Sequence, residues 1–336
     1  MAEIAVIGAG SFGAALCIHC AGKGHKVRLW CFSDEEYEYI HANHDIGNKL
    51  KGVKLPEDIL LSTDLEKIVQ GADATILAVP SPFVRGTAKK LSSVLPKGAT
   101  LISVAKGLEE STLSRLSQVI EEEIPEAEIC ILCGPSHAEE VAIHLPTALV
   151  AGAKKRETAE KVQSLMMNET LRVYTSPDLI GMETGAALKN VIALAAGMSD
   201  GLGFGDNTKA ALITRGIAEI TRLSVAMGAE PETLSGLTGI GDLVVTCMSR
   251  HSRNRNCGFM IGQGVDPEEA VKRVGMVVEG VNSARAAKKL AEKYYITMPI
   301  TEEVNAVLYD GVSAREAVGR LMGRDRREEH TNLKWE

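Results

Sequence analysis

Short runs of apolar residues alternate with longer amphipathic stretches over the first 180 or so residues of the chain. The runs are rich in β-branched side chains and almost continuous, which is typical of strands buried on both faces of a parallel sheet. Because most of them are separated by segments of helical periodicity, the pattern predicts a mostly parallel, doubly wound sheet. The predicted strands are Ile4–Gly8, Val27–Cys31, Ala74–Val79, Thr100–Val104, Ile129–Cys133, Ala148–Ala151 and Leu171–Tyr174.

The alternation ends near Ile180, and almost no strand-like run follows it. Apolar residues then recur at helical spacing, and helix-start signals occur, such as Asp266-Pro267 with proline at the first helical position. We therefore predict an α/β chain of two domains, with the sheet in residues 1–180 and an all-α domain in residues 181–336. The predicted helices of the second domain are Met182–Met198, Lys209–Met227, Pro231–Gly236, Pro267–Val274, Asn282–Lys293, Ile300–Tyr309 and Ala314–Met322.

Composition narrows the range of functions. The 336 residues carry a formal net charge of −7, whereas nucleic-acid binding needs a basic surface, so we expect no nucleic-acid partner. No apolar run reaches the roughly 18 residues of a membrane span, and no charged leader precedes the first strand. We expect a cytoplasmic protein without integral membrane association.

The 7 cysteines include two pairs with CxxC spacing, Cys17/Cys20 and Cys130/Cys133. A zinc or redox site is one interpretation of such pairs. Both pairs lie in apolar segments, however, where cysteine behaves as a small hydrophobic residue. We therefore expect free thiols and no metal site.

A glycine-rich motif directly follows the first predicted strand. Residues 8–13 are Gly-Ala-Gly-Ser-Phe-Gly, and a helix-like segment comes next. In this setting Gly8 permits a tight turn, Gly10 lets the backbone approach a pyrophosphate, and Gly13 allows the helix to pack closely on the strand. The N–H groups of the helix N-terminus can then bind phosphate. The motif predicts a Rossmann-like, dinucleotide-binding domain; a glycine-rich turn without a ligand is the alternative.

The choice between NAD and NADP stays open at the end of the second strand. An acidic residue there would bind the ribose hydroxyls and select NAD, and a basic residue would favour the additional phosphate of NADP. Asp34 comes slightly late for the acidic position and fits equally well as a helix start with Ser33. No arginine lies at this corner.

Two further residues follow strands whose carboxyl ends should form the ligand-binding edge of the sheet. Lys106 follows Thr100–Val104, where it could hold an anionic or carbonyl substrate, unless it is a solvated surface lysine. His137 follows Ile129–Cys133, and we favour a structural role at a helix start over general acid catalysis.

A second candidate lysine lies in an otherwise uncharged helical segment. Lys189 is the only charged residue of residues 185–197, and a helix that is apolar all round is buried. Burial lowers the pKa of a lysine towards neutrality, which suits proton exchange with a carbonyl or alcohol oxygen. A snorkelling or salt-bridged lysine is the alternative. Asp242, between glycines and an apolar run, could pair with Lys189 and position it.

The polar stretch from Ser252 to Arg255 supplies forked hydrogen-bond donors, and arginine binds phosphate through two parallel bonds. We favour Arg253 for such a contact. Arg255 is more readily explained as a residue of an exposed basic loop.

Together these motifs closely resemble the bacterial-type NAD(P)-dependent sn-glycerol-3-phosphate dehydrogenases. The resemblance runs over nearly the whole chain, and motifs in this order are specific. The segments that carry it are residues 8–13, 105–109, 134–138, 185–201, 214–216, 239–242, 252–254, 278–280 and 298–302.

The resemblance implies interconversion of dihydroxyacetone phosphate and sn-glycerol 3-phosphate with NAD(H) or NADP(H), feeding glycerophospholipid synthesis. It implies that Lys189 is the proton acceptor. The implied substrate contacts are Lys106, Gly134, Ser136, Lys189, Asp242, Ser252, Arg253 and Asn254. The implied cofactor contacts, beside the three glycines, are Ser11, Phe12, Phe32, Lys106, Ala138, Arg253, Val277 and Glu279.

Three positions depart from the family pattern. Phe32 stands where members often have arginine or histidine near the adenosine ribose, which leaves the nucleotide preference open. Phe12 replaces the frequent tryptophan or tyrosine, and Ser136 replaces the frequent threonine; both changes are conservative.

In the favoured interpretation Lys189 exchanges the proton and Asp242 orients it, while Lys106 polarises the oxygen or holds the substrate. Arg253 and Asn254 would bind the phosphate. One rival is a two-domain dehydrogenase of the 3-hydroxyacid or ketopantoate type, which would act on a carboxylate substrate. Another is an inactive nucleotide sensor or scaffold, against which the two lysines and Asp242 argue.

A homodimer is also expected. The second domain contains apolar helices, such as the segment Ala210–Leu223, that leave surface to bury.

Overall fold

The apolar runs of the first 180 residues form one eight-stranded sheet in the computed structural model, which describes residues 1–326, 328 and 329. Alternate residues of the first strand face opposite sides of the sheet. Ile4 and Val6 belong to the apolar core on one side, and Ala5 and Ile7 to the core on the other, which explains the unbroken apolar run. In chain order, strands β1 to β10 are Glu3–Ile7, Lys26–Trp30, Leu60–Ser62, Ala74–Leu77, Thr100–Ser103, Leu108–Glu109, Ser114–Arg115, Glu128–Cys133, Thr147–Ala153 and Leu171–Ser176.

The strand order in the sheet is β10-β9-β8-β5-β4-β1-β2-β3. Neighbouring strands are parallel except for β8 and β9, which are antiparallel. The sequence of neighbours β3-β2-β1-β4-β5-β8 is the doubly wound order, with its switch point between β1 and β4. The predicted fold class is confirmed. The strand β3 and the small hairpin of β6 and β7 were not predicted, because strands of two or three residues are too short to show a period.

Helices cover both faces of the sheet and form the remainder of the described chain. In chain order, α1 to α16 are Ser11–Gly22, Asp34–Asn43, Leu65–Val69, Val84–Leu91, Leu116–Glu123, Ala138–Ala142, Arg156–Met166, Leu179–Gly201, Asp206–Ala226, Pro231–Leu234, Asp242–Met248, Arg253–Gly262, Pro267–Val274, Glu279–Lys293, Pro299–Tyr309 and Ala314–Met322. Short 3₁₀ turns occur at Gly47–Lys49 and Ser81–Phe83, and a π-helical turn at Leu237–Gly241.

Each of the seven helices predicted in the second domain is present; Pro267–Val274 and Ala314–Met322 have the predicted ends, and the other five have shifted ends. The prediction for Pro231–Gly236 is too long, because α10 ends at Leu234 and the π-helical turn follows. Helices α11 and α12 were missed: glycines precede the first and a polar stretch opens the second, and both features are typical of loops. Residues 327 and 330–336 of the predicted second domain lie outside the described part.

The central element of the helical region is α8, whose residues are almost all buried. Among the described residues, this one helix is long and apolar enough to cross a membrane by length and composition, but 94% of its apolar window is buried inside the protein. It therefore behaves as the core helix of a folded domain. Helices α9, α11, α12 and α14 pack around it.

The contact of α8 with α12 depends on glycines that let the two backbones approach. A Cβ atom on Gly258 of α12 would overlap the carbonyl oxygen of Leu194, and one on Gly197 of α8 would overlap that of Arg255. Neither obstacle is a flexible side chain, so both helices would have to move apart.

We expect Gly258→Ala to destabilise the protein by about 3 kcal/mol, at the upper end of the usual cost of overpacking a core. Urea denaturation measures this change. The matched control is Gly86→Ala in α4, where an added Cβ meets nothing within 4 Å; we expect it to be neutral or to stabilise the protein by about 0.5–1 kcal/mol. Equal stability of the two variants would refute the close-packing argument.

Candidate functional site

The glycine-rich turn joins β1 to α1 at the switch point of the sheet. Gly8 has a φ of 116°, which favours glycine, and a Cβ on Gly13 would overlap the carbonyl oxygen of Gly8. Gly10 is the N-cap of α1, no side chain caps this helix, and a Cβ on Gly10 would meet nothing within 4 Å. An open backbone surface beside the N–H groups of a 12-residue helix fits a dinucleotide pyrophosphate.

Lys189 lies in the middle of α8 and is 4% exposed. Its Nζ atom is 2.7 Å from Oδ1 of Asp242 and 2.6 Å from Oγ1 of Thr246. Asp242, the first residue of α11, is 1% exposed. The predicted contact between this lysine and this carboxylate is therefore present. Lys189 does not snorkel to the surface, but it is salt-bridged, which is the other half of the alternative interpretation.

The same carboxylate also binds Lys106, which follows β5 at the carboxyl edge of the sheet. Nζ of Lys106 is 2.8 Å from Oδ2 of Asp242 and 2.9 Å from the carbonyl oxygen of Gly134. One buried carboxylate thus bridges two lysines, one from each region of the chain. The arrangement anchors the carboxyl edge of the sheet to the helical core.

This arrangement sets the protonation of the site. Burial lowers the pKa of Lys189 to about 8, although the charge of Asp242 opposes the shift. Burial alone would raise the pKa of Asp242, but the charges of Lys106 and Lys189 outweigh this effect and hold it below its ordinary value. At neutral pH the site therefore contains an ionised carboxylate and a lysine that can give up its proton near pH 8.

Two side chains that the sequence analysis did not select complete the site. Thr246, one turn after Asp242, donates its hydroxyl hydrogen to the carbonyl oxygen of Asp242 at 2.6 Å, which leaves its lone pairs for Lys189. Asn190 accepts a hydrogen bond from Asn254 at 2.9 Å, and Asn254 in turn accepts one from the N–H of Gly280 at 2.8 Å. The spacing along the chain is the signal that could have identified them: Thr246 comes four positions after Asp242, and Asn190 directly follows Lys189.

The remaining predicted substrate residues lie after β8 and at the start of α12. Gly134 follows β8, and its carbonyl oxygen also accepts a hydrogen bond from the hydroxyl of Ser136 at 3.0 Å. Ser252 is the N-cap of α12 and accepts a hydrogen bond from the N–H of Arg255. Arg253 is exposed and donates to the carbonyl oxygen of Val277 at 3.2 Å.

The interpretation of Arg255 as an exposed loop residue is wrong. It lies in α12 with its side chain 18% exposed, and its guanidinium is 2.6 Å from Oδ2 of Asp200 in α8. The carboxylate also binds Lys209 of α9 at 2.8 Å, so the arginine joins a buried ion-pair network. Its partner is 55 residues away along the chain, which a local pattern does not reveal.

The predicted cofactor residues lie on several different elements. Glu279 opens α14 and accepts hydrogen bonds from the N–H of Ser81, at 3.0 Å, and from its hydroxyl; burial raises the pKa of this carboxyl. Ala138 is the first residue of α6, with His137 at the N-cap as expected for a structural histidine. Phe12 packs against the core of the sheet.

The end of β2 carries an exposed aromatic residue. Phe32 is 74% exposed and packs edge-on against Trp30 with ring centroids 6.0 Å apart. Ser33 is the N-cap of α2 and Asp34 its first residue. Ser33 and Asp34 therefore form the start of helix α2, as one of the two interpretations of Asp34 predicted.

The seven cysteines are free and buried, as expected. Burial raises their pKa values, which makes the thiols unreactive. The described residues contain no group of three or more histidine, cysteine, aspartate and glutamate side chains suited to hold a metal ion.

Comparison with known proteins gives consistent relatives over the full length. The family models described as the N-terminus and the C-terminus of NAD-dependent glycerol-3-phosphate dehydrogenase match residues 3–159 and 178–319. A protein of Agathobacter rectalis named glycerol-3-phosphate dehydrogenase, NAD(P)+, is 57% identical over 335 residues and 100% of both chains. A protein of the same name from Fusobacterium nucleatum is 50% identical over 97% of this chain and 98% of its own.

Solved structures agree. The crystal structure of glycerol-3-phosphate dehydrogenase from Coxiella burnetii has a TM-score of 0.93 at 35% identity, covering 96% of this chain and 99% of that one. A ketopantoate reductase from Ralstonia eutropha has a TM-score of 0.61 at 17% identity, covering 95% and 99% of the two chains. The second likeness shows a shared fold alone.

Proposed function

This chain belongs to the NAD(P)-dependent glycerol-3-phosphate dehydrogenase family and is an oxidoreductase; we propose that it interconverts dihydroxyacetone phosphate and sn-glycerol 3-phosphate. The observation that carries the chemical proposal is the buried Asp242 with Lys189 and Lys106 on its two oxygens. It joins an ionisable lysine of the helical core to the carboxyl edge of the sheet, the edge on which the glycine-rich turn also lies. Neither the ketoacid alternative nor the scaffold alternative accounts for the full-length identity to enzymes with this name.

When bound, the nicotinamide cofactor supplies the hydride for the carbonyl carbon. Gly8, Gly10 and Gly13, with Ser11 at the start of α1, would hold its pyrophosphate. Phe12, Phe32, Ala138, Val277 and Glu279 are further proposed cofactor contacts, as the resemblance implies.

Lys189 donates the proton to the carbonyl oxygen in reduction and accepts it from the alcohol in oxidation. Asp242 fixes the position of its Nζ atom and stabilises the charged form, and Thr246 accepts a second hydrogen bond from that atom. A lysine with a pKa of about 8 exchanges protons readily near neutral pH. The proposal assigns general acid–base catalysis to Lys189.

Lys106 and the polar start of α12 recognise the rest of the substrate. Lys106 brings a positive charge to the strand edge and would polarise or steady the carbonyl oxygen. Arg253, which is exposed, would bind the phosphate, together with Asn254 and Ser252. Gly134 and Ser136 are further proposed substrate contacts, as the resemblance implies.

The proposal is tested by absorbance at the nicotinamide band with dihydroxyacetone phosphate and either NADH or NADPH. We expect oxidation of at least one nucleotide, and no comparable rate with ketopantoate or a 3-ketoacid. Oxidation with a ketoacid in place of the triose phosphate would overturn the substrate assignment. Nucleotide binding without turnover on any of these substrates would favour the inactive sensor.

The pKa of Lys189 predicts opposite pH profiles for the two directions. Reduction needs the protonated lysine, so its rate is expected to fall as pH rises through about 8, and oxidation needs the neutral lysine, so its rate is expected to rise through the same region. Initial rates between about pH 7 and 10 measure both, and the phosphate of the substrate does not interfere because it titrates near pH 6. Parallel profiles in the two directions would contradict the role of Lys189.

The domain division, the assembly and the cellular location are further parts of the proposal. We propose the domain division at residue 180, near the transition from the last strand, which ends at Ser176, to α8, which begins at Leu179 and so starts within the first domain. A homodimer is supported by α9, on which Leu212, Ile213 and Ile217 stay partly accessible; light scattering tests it. We also propose a cytoplasmic location, a product used in glycerophospholipid synthesis, and no nucleic-acid partner.

A further inference from the structure

The corner at the end of β2 is where a doubly wound domain meets the adenosine ribose of its dinucleotide. NADPH carries a phosphate on the 2′-oxygen of this ribose, and NADH carries a hydroxyl group. The side chain that ends β2 here is the uncharged, exposed Phe32. Selection between the two nucleotides must therefore come from its neighbours.

Glu36, in the first turn of α2, occupies the donors at this corner. Its Oε2 atom accepts a hydrogen bond from the backbone N–H of Phe32 at 2.8 Å, and its Oε1 atom is 2.6 Å from Nζ of Lys49. The side chain of Glu36 is largely buried, with 18% of its surface exposed. The backbone N–H of Glu36 is likewise engaged, because it donates a hydrogen bond to the hydroxyl oxygen of Ser33 at 3.2 Å.

Lys49 is held next to the pyrophosphate turn. Its carbonyl oxygen accepts a hydrogen bond from the hydroxyl of Ser11, the first residue of α1, at 2.5 Å. The lysine thus lies between the glycine-rich turn and the end of β2. It would be a suitable phosphate ligand if Glu36 did not already neutralise it.

The local charge balance opposes a second phosphate. Asp34, Glu35 and Glu36 form an acidic first turn of α2. Two lysines oppose these acidic residues. Lys49 is paired with Glu36, and the Nζ atom of Lys90 lies 6.0 Å from the centroid of the Phe32 ring. A phosphate monoester carries about −1.5 to −2 charges at neutral pH, so its placement beside these carboxylates costs free energy, whereas a ribose hydroxyl group can donate to a carboxylate.

We propose that Glu36 is a specificity-determining residue that makes this enzyme prefer NADH to NADPH. It acts by occupying donors: its two oxygens bind the N–H of Phe32 and the ammonium group of Lys49, so the charge of Lys49 is neutralised and neither group is left for the 2′-phosphate. The inference rests on the dinucleotide binding contained in the proposed function, but not on the identity of the second substrate.

The test is equilibrium binding of NADH and of NADPH, followed by nicotinamide fluorescence, to the full chain and two variants. Glu36→Gln removes the charge and keeps the size of the side chain. The matched control is Glu35→Gln, which removes an equal charge from an exposed neighbouring residue of the same helical turn. Thermal melting of each variant checks the fold.

We expect the unsubstituted protein to bind NADH at least about tenfold more tightly than NADPH. Glu36→Gln is expected to reduce this preference by about fivefold or more through tighter binding of NADPH, and Glu35→Gln to leave it within about twofold. Equal or tighter binding of NADPH by the unsubstituted protein would overturn the proposal. An unchanged preference in Glu36→Gln, or the same change in both variants, would also overturn it.

Assays with dihydroxyacetone phosphate on the same samples separate this inference from the proposed function. Selective NADH binding without turnover would refute the proposed substrate and leave the role of Glu36 intact. Turnover of dihydroxyacetone phosphate with equal affinity for NADH and NADPH would refute the role of Glu36 and leave the proposed substrate intact.

Discussion

Replacement of Lys189 with methionine is expected to lower kcat for reduction of dihydroxyacetone phosphate by a factor of about 10² to 10⁴, the usual contribution of general acid–base catalysis. The reason is that Lys189, whose Nζ is held between Asp242 and Thr246, is the proposed proton donor. Methionine fills a similar space without charge. Asp242 keeps Lys106 at 2.8 Å and therefore stays paired, so we expect the variant to fold.

The measurement is steady-state kinetics at saturating nucleotide and substrate, together with nucleotide affinity by fluorescence. We expect the affinity for NADH to change little, because the proton donor and the pyrophosphate turn are separate parts of the site. Lys154→Met serves as the control, since this lysine is 69% exposed in a surface ion pair with Glu121 and should leave kcat unchanged. Near-normal turnover of Lys189→Met would remove the acid–base assignment.

The substitution Asp242→Asn is expected to damage both stability and catalysis. It leaves two lysines around a neutral amide, and removal of one partner from a buried ion pair costs about 3–5 kcal/mol of unfolding free energy. The charge of Asp242 also raises the pKa of Lys189 against the effect of burial. Without it, this pKa falls below about 8, and the rate of reduction should decline at correspondingly lower pH.

Urea denaturation and the pH profile of kcat measure the two effects separately. Asp200→Asn is the matched control, because this carboxylate also binds two cations, Lys209 and Arg255. It lies on the same helix as Lys189 but about three turns away, roughly 16 Å along the axis. We expect it to lower stability without moving the pH profile. A profile of Asp242→Asn that matches the unsubstituted protein would refute the positioning role of Asp242.

Local chemistry made the main architecture predictable. Buried strands of a parallel sheet need apolar residues on both faces, so β1, β4, β5 and β8 appear as continuous apolar runs. Gly8 and Gly13 reveal the pyrophosphate turn because a positive φ and a close backbone contact both exclude a side chain there. Lys189 could be identified because it is a single charged residue in an apolar helical segment.

Elements with weak local signals were not predictable. The antiparallel direction of β9 is set by the path that the connection from β8 takes in space, and an apolar run is the same in either direction. Helix α12 begins with Arg253 and other polar residues, and its buried face carries small residues such as Gly258 against α8. It therefore shows no apolar pattern by which a helix could be predicted. The close approach of two helices is a property of the pair, which neither sequence shows alone.

By itself, the sequence determined the class of the fold, the position of the pyrophosphate turn and the identity of the lysine in the buried helix, because burial and backbone conformation restrict residue type locally. The tertiary structure decided which groups meet. Asp242 is 53 residues from Lys189 and 136 from Lys106 along the chain, so only folding could join both to one carboxylate. The same holds for Glu36 and Lys49, whose pairing across the end of β2 is set by distance in space.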